Sequence, residues 1–283
     1  MTKVAIITGG ASGMGLAVAE ALAARGDWEL HLLDVNEERG NSAAASVKNA
    51  KFHKTDVTSY SSLASVFDSI HKSSKGLDFV FANAGIVERW NFYSQHQVSP
   101  PPEPDQLSID IDFKSVVNTS YLAQHYFRLS PSYKSGSQSL VMTASCGGLY
   151  SAPFCPMYSG AKHGVIGFMR SIAKHYWIHD KIRVSCTAPG TVKTNLVDPK
   201  GWESFPDDFF TPMEKIVEVV VMLIDGGDME DSSSPQVSLK KGQDWGQCVE
   251  VNGKNHYFRA QHSWCDDKMK AVMEATDVEQ LKA

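Results

Sequence analysis

The chain has 283 residues, of which 42% are hydrophobic and 21% charged, and its formal net charge is −5. This is the composition of an ordinary globular protein. It contains no long basic or acidic block, so we predict no nucleic-acid partner and no anionic membrane partner. No apolar run approaches the roughly 20 residues that a membrane-spanning helix needs. The five cysteines show no CxxC spacing, which predicts no disulfide framework, no metal site and a cytoplasmic location.

Short apolar runs alternate with helical patterns along most of the chain. Their order predicts a Rossmann-type α/β fold, in which helices cover both faces of a doubly wound parallel sheet. The strands are apolar throughout, as strands covered on both faces should be. We predict one domain over residues 1–255 and a C-terminal extension over 256–283. The predicted strands are 4–8, 30–34, 79–82, 139–143 and 182–187, and the predicted helices are 16–25, 63–71, 109–128 and 157–175.

Two segments depart from this alternation. The proline-rich stretch 99–104 can form neither a helix nor a central strand, so a loop is predicted there. Residues 225–244 are rich in glycine, serine and charge, which predicts a flexible insertion.

A glycine-rich turn separates the first strand from the first helix. Glycines allow a positive φ and close backbone approach, and a helix N-terminus offers free N–H groups to a pyrophosphate. The turn holds Gly9, Ser12, Gly13, Met14 and Gly15, and its strand-turn-helix context makes it a candidate dinucleotide site.

A carboxylate follows this turn at the end of the second strand. Asp34 comes 19 residues after Gly15, where it can accept hydrogen bonds from the ribose hydroxyls and repel a 2′-phosphate. No Arg or Lys follows it at the strand end to meet a phosphate. We therefore predict NAD rather than NADP.

Several motifs then follow in one ordered series. Asp56-Val57, Asn83-Ala84-Gly85, Ser145, a Tyr-x-x-x-Lys from Tyr158 to Lys162 and a Pro-Gly pair at 189–190 succeed the glycine turn. In this series the chain resembles the short-chain dehydrogenase/reductase family, over roughly residues 1–255. Within that family, residues 111–122 resemble the 15-hydroxyprostaglandin dehydrogenase-like members. The resemblance implies an NAD site made of Gly9, Ser12, Gly13, Met14, Gly15, Asp34, Val35, Asp56, Val57, Asn83, Ala84, Gly85, Tyr158, Lys162, Pro189, Gly190, Val192 and Thr194.

Tyr158 and Lys162 are four residues apart, so they share one helix face. A phenol titrates near pH ~10 and is a poor base at neutrality. The Lys162 ammonium and the positive charge of an oxidised nicotinamide should lower that pKa. Tyr158 is therefore the predicted general acid/base, and Ser145 is predicted to orient the substrate oxygen. The pair alone could be an exposed Tyr and Lys on a helix, but Ser145 thirteen residues upstream favours catalysis.

The sequence departs from the family at one helix position. The family usually has an Asn there that helps hold a water leading to the Lys, and Asp112 aligns with it. Asn118 lies six residues further, and at ~100° of rotation per residue it faces elsewhere. Asp112 is therefore the fourth predicted catalytic residue.

Aromatic residues in the pocket-forming segments favour a bulky apolar alcohol or ketone, such as a steroid, a terpenoid or a lipid alcohol, over a sugar. The predicted substrate residues are Cys146, Tyr150, Phe154 and Trp202, the last in a substrate loop over about 195–212. The resemblance also implies a homodimer or homotetramer paired through helices 109–128 and 157–175. Two alternatives stay open: an NADPH-dependent ketoreductase, and a non-catalytic cofactor-binding regulatory protein of the same fold.

Overall fold

An eight-stranded sheet forms the centre of the molecule, in the order β10-β9-β6-β5-β4-β1-β2-β3. The structure, a computed structural model, describes residues 2–196, 199–203 and 205–277. Neighbouring strands run parallel except β10, which pairs antiparallel with β9. The strands of this sheet are β1 (Lys3–Thr8), β2 (Trp28–Asp34), β3 (Ala50–Lys54), β4 (Phe79–Ala82), β5 (Ser139–Thr143), β6 (Arg183–Pro189), β9 (Cys248–Asn252) and β10 (Asn255–Phe258), while β7 (Met229–Asp231) and β8 (Ser234–Leu239) form a separate hairpin.

Helices pack on both faces of this sheet. Ile6 and Ile7 of β1 point to opposite faces, and each belongs to a different buried apolar cluster. The Ile6 cluster includes residues of α3, α5 and α6, and the Ile7 cluster residues of α1 and α8. The doubly wound fold predicted from the sequence is thus confirmed. The helices are α1 (Gly13–Arg25), α2 (Glu37–Ser46), α3 (Tyr60–Ser74), α4 (Leu107–Ile109), α5 (Ser115–Arg128), α6 (Pro156–His175), α7 (Pro199–Trp202), α8 (Met213–Asp225) and α9 (Asp267–Ala275).

The predicted long helix at 109–128 consists of two α-helical pieces around a π-helical turn. The turn spans Asp110–Lys114 and joins α4 to α5. A second π-helical turn, Tyr176–Asp180, extends α6. Such turns widen a helix locally and often lie at functional sites. Within the described residues, no helix combines the length and apolar character needed to cross a membrane.

The end of the chain differs from the expectation in two places. The segment predicted as a flexible insertion, 225–244, holds the β7–β8 hairpin, and its polar composition gave no strand signal. The predicted domain boundary at 255 falls at the start of β10, which is part of the central sheet. The separate extension therefore begins after Phe258.

The strand order reverses direction between β1 and β4. The chain runs outward from β1 through β2 to β3, and then returns to continue on the other side with β4, β5 and β6. Loops leaving the carboxyl ends of β1 and β4 therefore diverge and open a crevice there. Open α/β sheets bind their ligands at such a switch point. All the motifs singled out in the sequence follow strands at this edge.

Candidate active site

The glycine turn adopts the geometry that an anion site requires. Gly9 and Gly13 have φ of 66° and 55°, which disfavours any other residue. A Cβ on Gly15 would lie 2.3 Å from the carbonyl oxygen of Gly9. Ser12 is the N-cap of α1, yet its side chain caps no N–H, and the first turn holds no acidic residue. The free amides at this helix end fit a pyrophosphate group.

The segment after β6 folds over this turn. A Cβ on Gly13 would meet the side chain of Thr194 at 3.3 Å. Val192 is buried, and the N–H of Gly190 donates to Val251 O over 2.8 Å. The indole of Trp202 donates to Thr194 O over 3.1 Å. Thr194 of the predicted NAD site therefore lies against the predicted pyrophosphate turn.

Asp34 lies at the other side of the turn with its carboxylate fixed. Its Oδ2 accepts from Ala11 N at 3.3 Å and its Oδ1 from Asn36 N at 3.0 Å. The sheet also places Lys54 opposite Asp34 in the β2–β3 register. Val35 and Asn36, which follow Asp34 in the sequence, supply no cation, but Lys54 comes to this strand end from the neighbouring strand. Its ammonium is paired with Glu37 at 2.8 Å.

Three further predicted cofactor residues, Val35, Asp56 and Val57, follow the ends of β2 and β3. Val35 is 67% exposed, whereas Val57 is buried. Asp56 Oδ1 accepts from both the N–H and the hydroxyl of Thr58, at 2.9 and 2.7 Å. The Asp56 carboxylate therefore stabilises the turn at residues 56–58.

Asn83 ties three strand ends together. Its Nδ2 donates to Thr8 O at 3.1 Å, and its Oδ1 accepts from the Thr143 hydroxyl at 3.0 Å. The Thr8 hydroxyl in turn accepts from the N–H groups of Asn83 and Ala84, at 2.9 and 3.0 Å. Asn83, which was predicted to bind the cofactor, therefore links the carboxyl ends of β1, β4 and β5 by hydrogen bonds. These strand ends form the base of the crevice.

The predicted catalytic residues lie close together near the end of β5. Ser145 follows β5, and its hydroxyl accepts from Gly147 N at 3.0 Å. A Cβ on Gly147 would lie 3.5 Å from both the Ser145 hydroxyl oxygen and the Tyr158 ring, so these two side chains face the same point. Lys162 Nζ lies 5.5 Å from the centre of the Tyr158 ring. The ammonium also donates to Thr143 O over 2.9 Å. The structure therefore brings Ser145, Tyr158 and Lys162 into one group.

Asp112 completes this group from the π-helical turn. It is fully buried, and its Oδ1 lies 3.1 Å from Lys162 Nζ and accepts from Ile86 N at 3.1 Å. A Cβ on Gly85 would lie 2.5 Å from the same oxygen, so only glycine fits there. Asn118 lies in α5, and Lys162 has no ion pair or hydrogen bond with it in the described residues.

The charges of this buried group act on each other. Burial raises the pKa of Asp112, against the lowering effect of Lys162. Burial lowers the pKa of Lys162, but Asp112 and Tyr158 outweigh it and the pKa is raised. Burial also raises the pKa of Tyr158, although Lys162 and Ser145 lower it. Lys162 lowers the pKa of the Tyr158 phenol, as expected. Burial raises that pKa by more than Lys162 lowers it.

Three of the four predicted substrate residues line clefts, and they divide between two of them. Cys146 and Tyr150 border a cleft of about 370 Å³ next to Ser145. Trp202 borders a neighbouring cleft of about 530 Å³ and packs against Phe205 and Phe210. Phe154 is 80% exposed and lines neither cleft. The first cleft is also more polar than predicted, since its other lining residues are Gly190, Thr191, Asp208, Phe209, Glu250 and Asn252.

Comparison with known proteins agrees with this arrangement. Residues 3–203 match the family model described as short chain dehydrogenase. The chain belongs to the short-chain dehydrogenase/reductase family. Members of this family are oxidoreductases that use a nicotinamide cofactor, NAD or NADP.

Individual relatives cover much of the chain. It is 50% identical over 277 residues to short-chain dehydrogenase/reductase prx7 of Penicillium rubens, covering 94% of this chain and 97% of that protein. It is 32% identical over 196 residues to 2,5-dichloro-2,5-cyclohexadiene-1,4-diol dehydrogenase of Sphingobium indicum, covering 69% of this chain and 74% of that protein. The crystal structure of gox2181 matches with a TM-score of 0.68 at 22% identity, covering 79% of this chain and 89% of that one, and supports the fold.

Two side chains of this family member enter the site without having been predicted. Glu88 contacts α6 from the loop after β4, and no local pattern links it to a helix 70 residues later. Glu250 interrupts the apolar strand β9, and that interruption was a readable signal. Within the described residues, no cluster of His, Cys, Asp and Glu could hold a metal ion.

Proposed function

We propose that the chain is an NAD(H)-dependent dehydrogenase that interconverts a secondary alcohol and a ketone on a bulky, largely apolar substrate. The observation that carries this proposal is the buried group of Ser145, Tyr158, Lys162 and Asp112 at the switch point of the sheet. A bound nicotinamide would accept or supply the hydride. The chain itself has to bind and orient the substrate and move one proton.

The proton belongs to Tyr158 in this proposal. During oxidation the phenolate oxygen takes the proton of the substrate hydroxyl, and during reduction the phenol returns it. The Ser145 hydroxyl hydrogen-bonds the same substrate oxygen and fixes its position. The Lys162 ammonium, which lies 5.5 Å from the centre of the Tyr158 ring, stabilises the phenolate, and Asp112 and Thr143 hold that ammonium in place.

The choice of NAD is supported by Asp34. Its carboxylate is held by Ala11 and Asn36 at the end of β2, where a 2′-phosphate would meet negative charge. One observation favours the NADPH-dependent ketoreductase as a second candidate: Lys54 lies opposite Asp34 in the sheet. Its ammonium is already paired with Glu37, and this leaves NAD as the better-supported cofactor.

The apolar substrate is supported by exposed aromatic side chains near the clefts. Phe209 borders the cleft beside Ser145 and is 57% exposed, and Tyr150 borders it from the opposite loop. The relative from Sphingobium indicum is named for a cyclic diol, which is also a ring-bearing secondary alcohol. Both observations favour an apolar ring-bearing alcohol over a sugar.

Replacing the proposed acid/base tests the function. Tyr158→Phe keeps the ring and removes the proton acceptor, so turnover of secondary alcohols with NAD should fall by about 10²–10⁴-fold. NAD binding, followed by protein fluorescence, should persist. Tyr60→Phe is the matched control, because Tyr60 is exposed at the start of α3, outside this group and outside the helices of the proposed subunit contact. Near-full turnover by Tyr158→Phe would exclude the mechanism and favour a non-catalytic cofactor-binding protein.

We also propose a homodimer or homotetramer in the cytoplasm, with α5 and α6 at the subunit contact. Tyr121, which is 63% exposed, supports this contact. Val116 and Met169, two other apolar residues of these helices, are buried in the protomer's own core. A monomeric mass by light scattering at micromolar concentration would exclude the assembly.

A further inference from the structure

We propose that Glu250 is a specificity-determining residue, which accepts a hydrogen bond from a second hydroxyl of the substrate. The inference rests on the proposed function and narrows its substrate class. The alcohol would be a ring system with two separated hydroxyls, one reacting at Tyr158 and one bound at Glu250. An apolar mono-alcohol would offer this carboxylate no second hydroxyl to bind.

Glu250 occupies the wall of the cleft beside the reacting group. It lies in β9, is 7% exposed and lines the cleft of about 370 Å³. Cys146, which directly follows Ser145, lines the same cleft, and its pKa is raised mainly by burial and to a smaller degree by the Glu250 charge. The cleft therefore extends from the neighbour of Ser145 to the Glu250 carboxylate. Its volume lies within the range of small-molecule pockets, about 300–1,000 Å³.

Half of this carboxylate is fixed by the protein. Oε2 accepts from the Tyr150 hydroxyl at 3.2 Å and from Nε of Arg259, whose guanidinium also pairs with it through Nη2. No donor in the described part of the chain reaches Oε1. A carboxylate has about four lone-pair positions, so acceptor capacity remains at Oε1. Tyr150 and Arg259 therefore orient Glu250 and leave one oxygen for a ligand.

The chemistry of the group selects its ligand. Glu250 forms an ion pair with Arg259, and a carboxylate accepts hydrogen bonds but does not donate them. A ligand that satisfies it must bring an O–H or N–H. A carboxylate or phosphate on the substrate would be repelled. Among the donors, a hydroxyl agrees with a dehydrogenase whose relative is named for a diol.

Binding to the NADH-loaded protein, which cannot oxidise an alcohol, tests the assignment separately from turnover. The ligands are a decalin diol with one hydroxyl on each ring and decalol, the matching mono-alcohol. Isothermal titration should show the diol binding about ten- to hundred-fold more tightly than decalol, the range for a hydrogen bond to a charged group. In Glu250→Gln this ratio should fall towards one. Glu29→Gln is the control, because Glu29 pairs with Lys51 at the far side of the sheet.

Equal affinity of the wild type for both ligands would overturn the proposal, as would an unchanged ratio in folded Glu250→Gln. Should Glu250→Gln fail to fold, Glu250→Asp keeps the charge on a shorter side chain and should lose part of the ratio. A folded Glu250→Asp with the full ratio would also exclude the role. Cofactor reduction is measured with the same ligands. Diol selectivity without any turnover would contradict the proposed dehydrogenase function and not the Glu250 site.

Discussion

The carboxylate of Glu88 accepts a hydrogen bond from the backbone N–H of Tyr158 over 2.7 Å. Tyr158 lies in the first turn of α6, where N–H groups have no partner within the helix. The N-cap residue, Cys155, makes no side-chain cap. Glu88 therefore provides, from another loop, the hydrogen-bond acceptor that an N-cap side chain would provide. Its negative charge also interacts favourably with the positive end of the helix dipole.

Glu88→Ala should misplace the first turn of α6 and lower both stability and kcat. The free energy of unfolding should fall by about 1 kcal/mol, as for the loss of a helix cap. Glu88→Gln keeps an acceptor and should retain more of both properties. Urea unfolding and steady-state kinetics measure the two effects. The positioning role is excluded if Glu88→Ala loses stability but keeps the kcat and the pH profile of the wild type. Glu88 would then be a structural contact only.

Asp112→Asn should shift the pH profile of kcat for alcohol oxidation towards acid. Asp112 raises the pKa of both Lys162 and Tyr158, so removing its charge lowers both. Tyr158 is then ionised at lower pH, and the acid limb of the kcat profile shifts to lower pH by the same cause. The groups titrate as a coupled set, so the measured quantity is an apparent value.

Asn118→Ala is the matched control for this experiment. Asn118 lies in α5, beyond the π-helical turn that holds Asp112, and Lys162 has no hydrogen bond or ion pair with it in the described residues. Its variant should keep the wild-type profile. An unchanged profile in Asp112→Asn together with loss of turnover in Asn118→Ala would transfer the role to Asn118.

Asp34→Ala should reduce the preference for NAD over NADP. The carboxylate is the negative charge that a 2′-phosphate would meet, and Lys54 remains beside it on β3. The ratio of kcat/KM values for the two cofactors is the measurement. Adding Lys54→Met to Asp34→Ala should lower NADP use again, since the nearby cation is lost. A wild type that prefers NADP would contradict the cofactor assignment itself.

His31 should make the protein less stable in acid. Burial and the neighbouring His53 lower the pKa of His31 to about 4 from 6.5. Its ring contacts His53 at 2.9 Å and Glu29 at 3.4 Å. Because the unfolded state binds the proton first, stability is fully present above pH 6.5 and is lost as the pH falls towards 4.

The loss should amount to up to about 3 kcal/mol, at 1.36 kcal/mol per pKa unit. His31→Gln should flatten this part of the dependence, measured as the free energy of unfolding between neutral pH and pH ~4.5. His125→Gln, on the exposed face of α5, should behave as the wild type. Parallel curves for His31→Gln and the wild type would exclude His31 as the source.

The elements predicted from the sequence are those with a strong apolar pattern. β4 and β5 were predicted with the bounds they have, because each is a continuous apolar run after a polar stretch. α2 was not predicted, since its sequence EERGNSAAAS carries no apolar stripe and only Gly40 and Ala43 are buried. β3 was missed because AKFHK lies at a half-exposed sheet edge. In these elements tertiary pairing, not local pattern, decides the structure.

The same distinction applies to the site. Gly15, Tyr158 and Lys162 belong to short motifs whose spacing is visible in the sequence. Glu88 meets Tyr158 from 70 residues away, and Arg259 meets Glu250 only because β10 turns back on β9. Such contacts depend on the sheet order, so no local spacing predicts them.

The antiparallel strand β10 gives the sheet a covered margin beside the substrate cleft. Without it, β9 would present a row of unpaired N–H and C=O groups, on which a strand of another chain could add. The hydrogen bond from Arg259 N to Cys248 O continues this cover beyond the strand. A chain shortened before Asn255 would lose both the cover and the counter-ion of Glu250. We expect such a chain to self-associate through β9 and to lose its substrate selectivity in the same step.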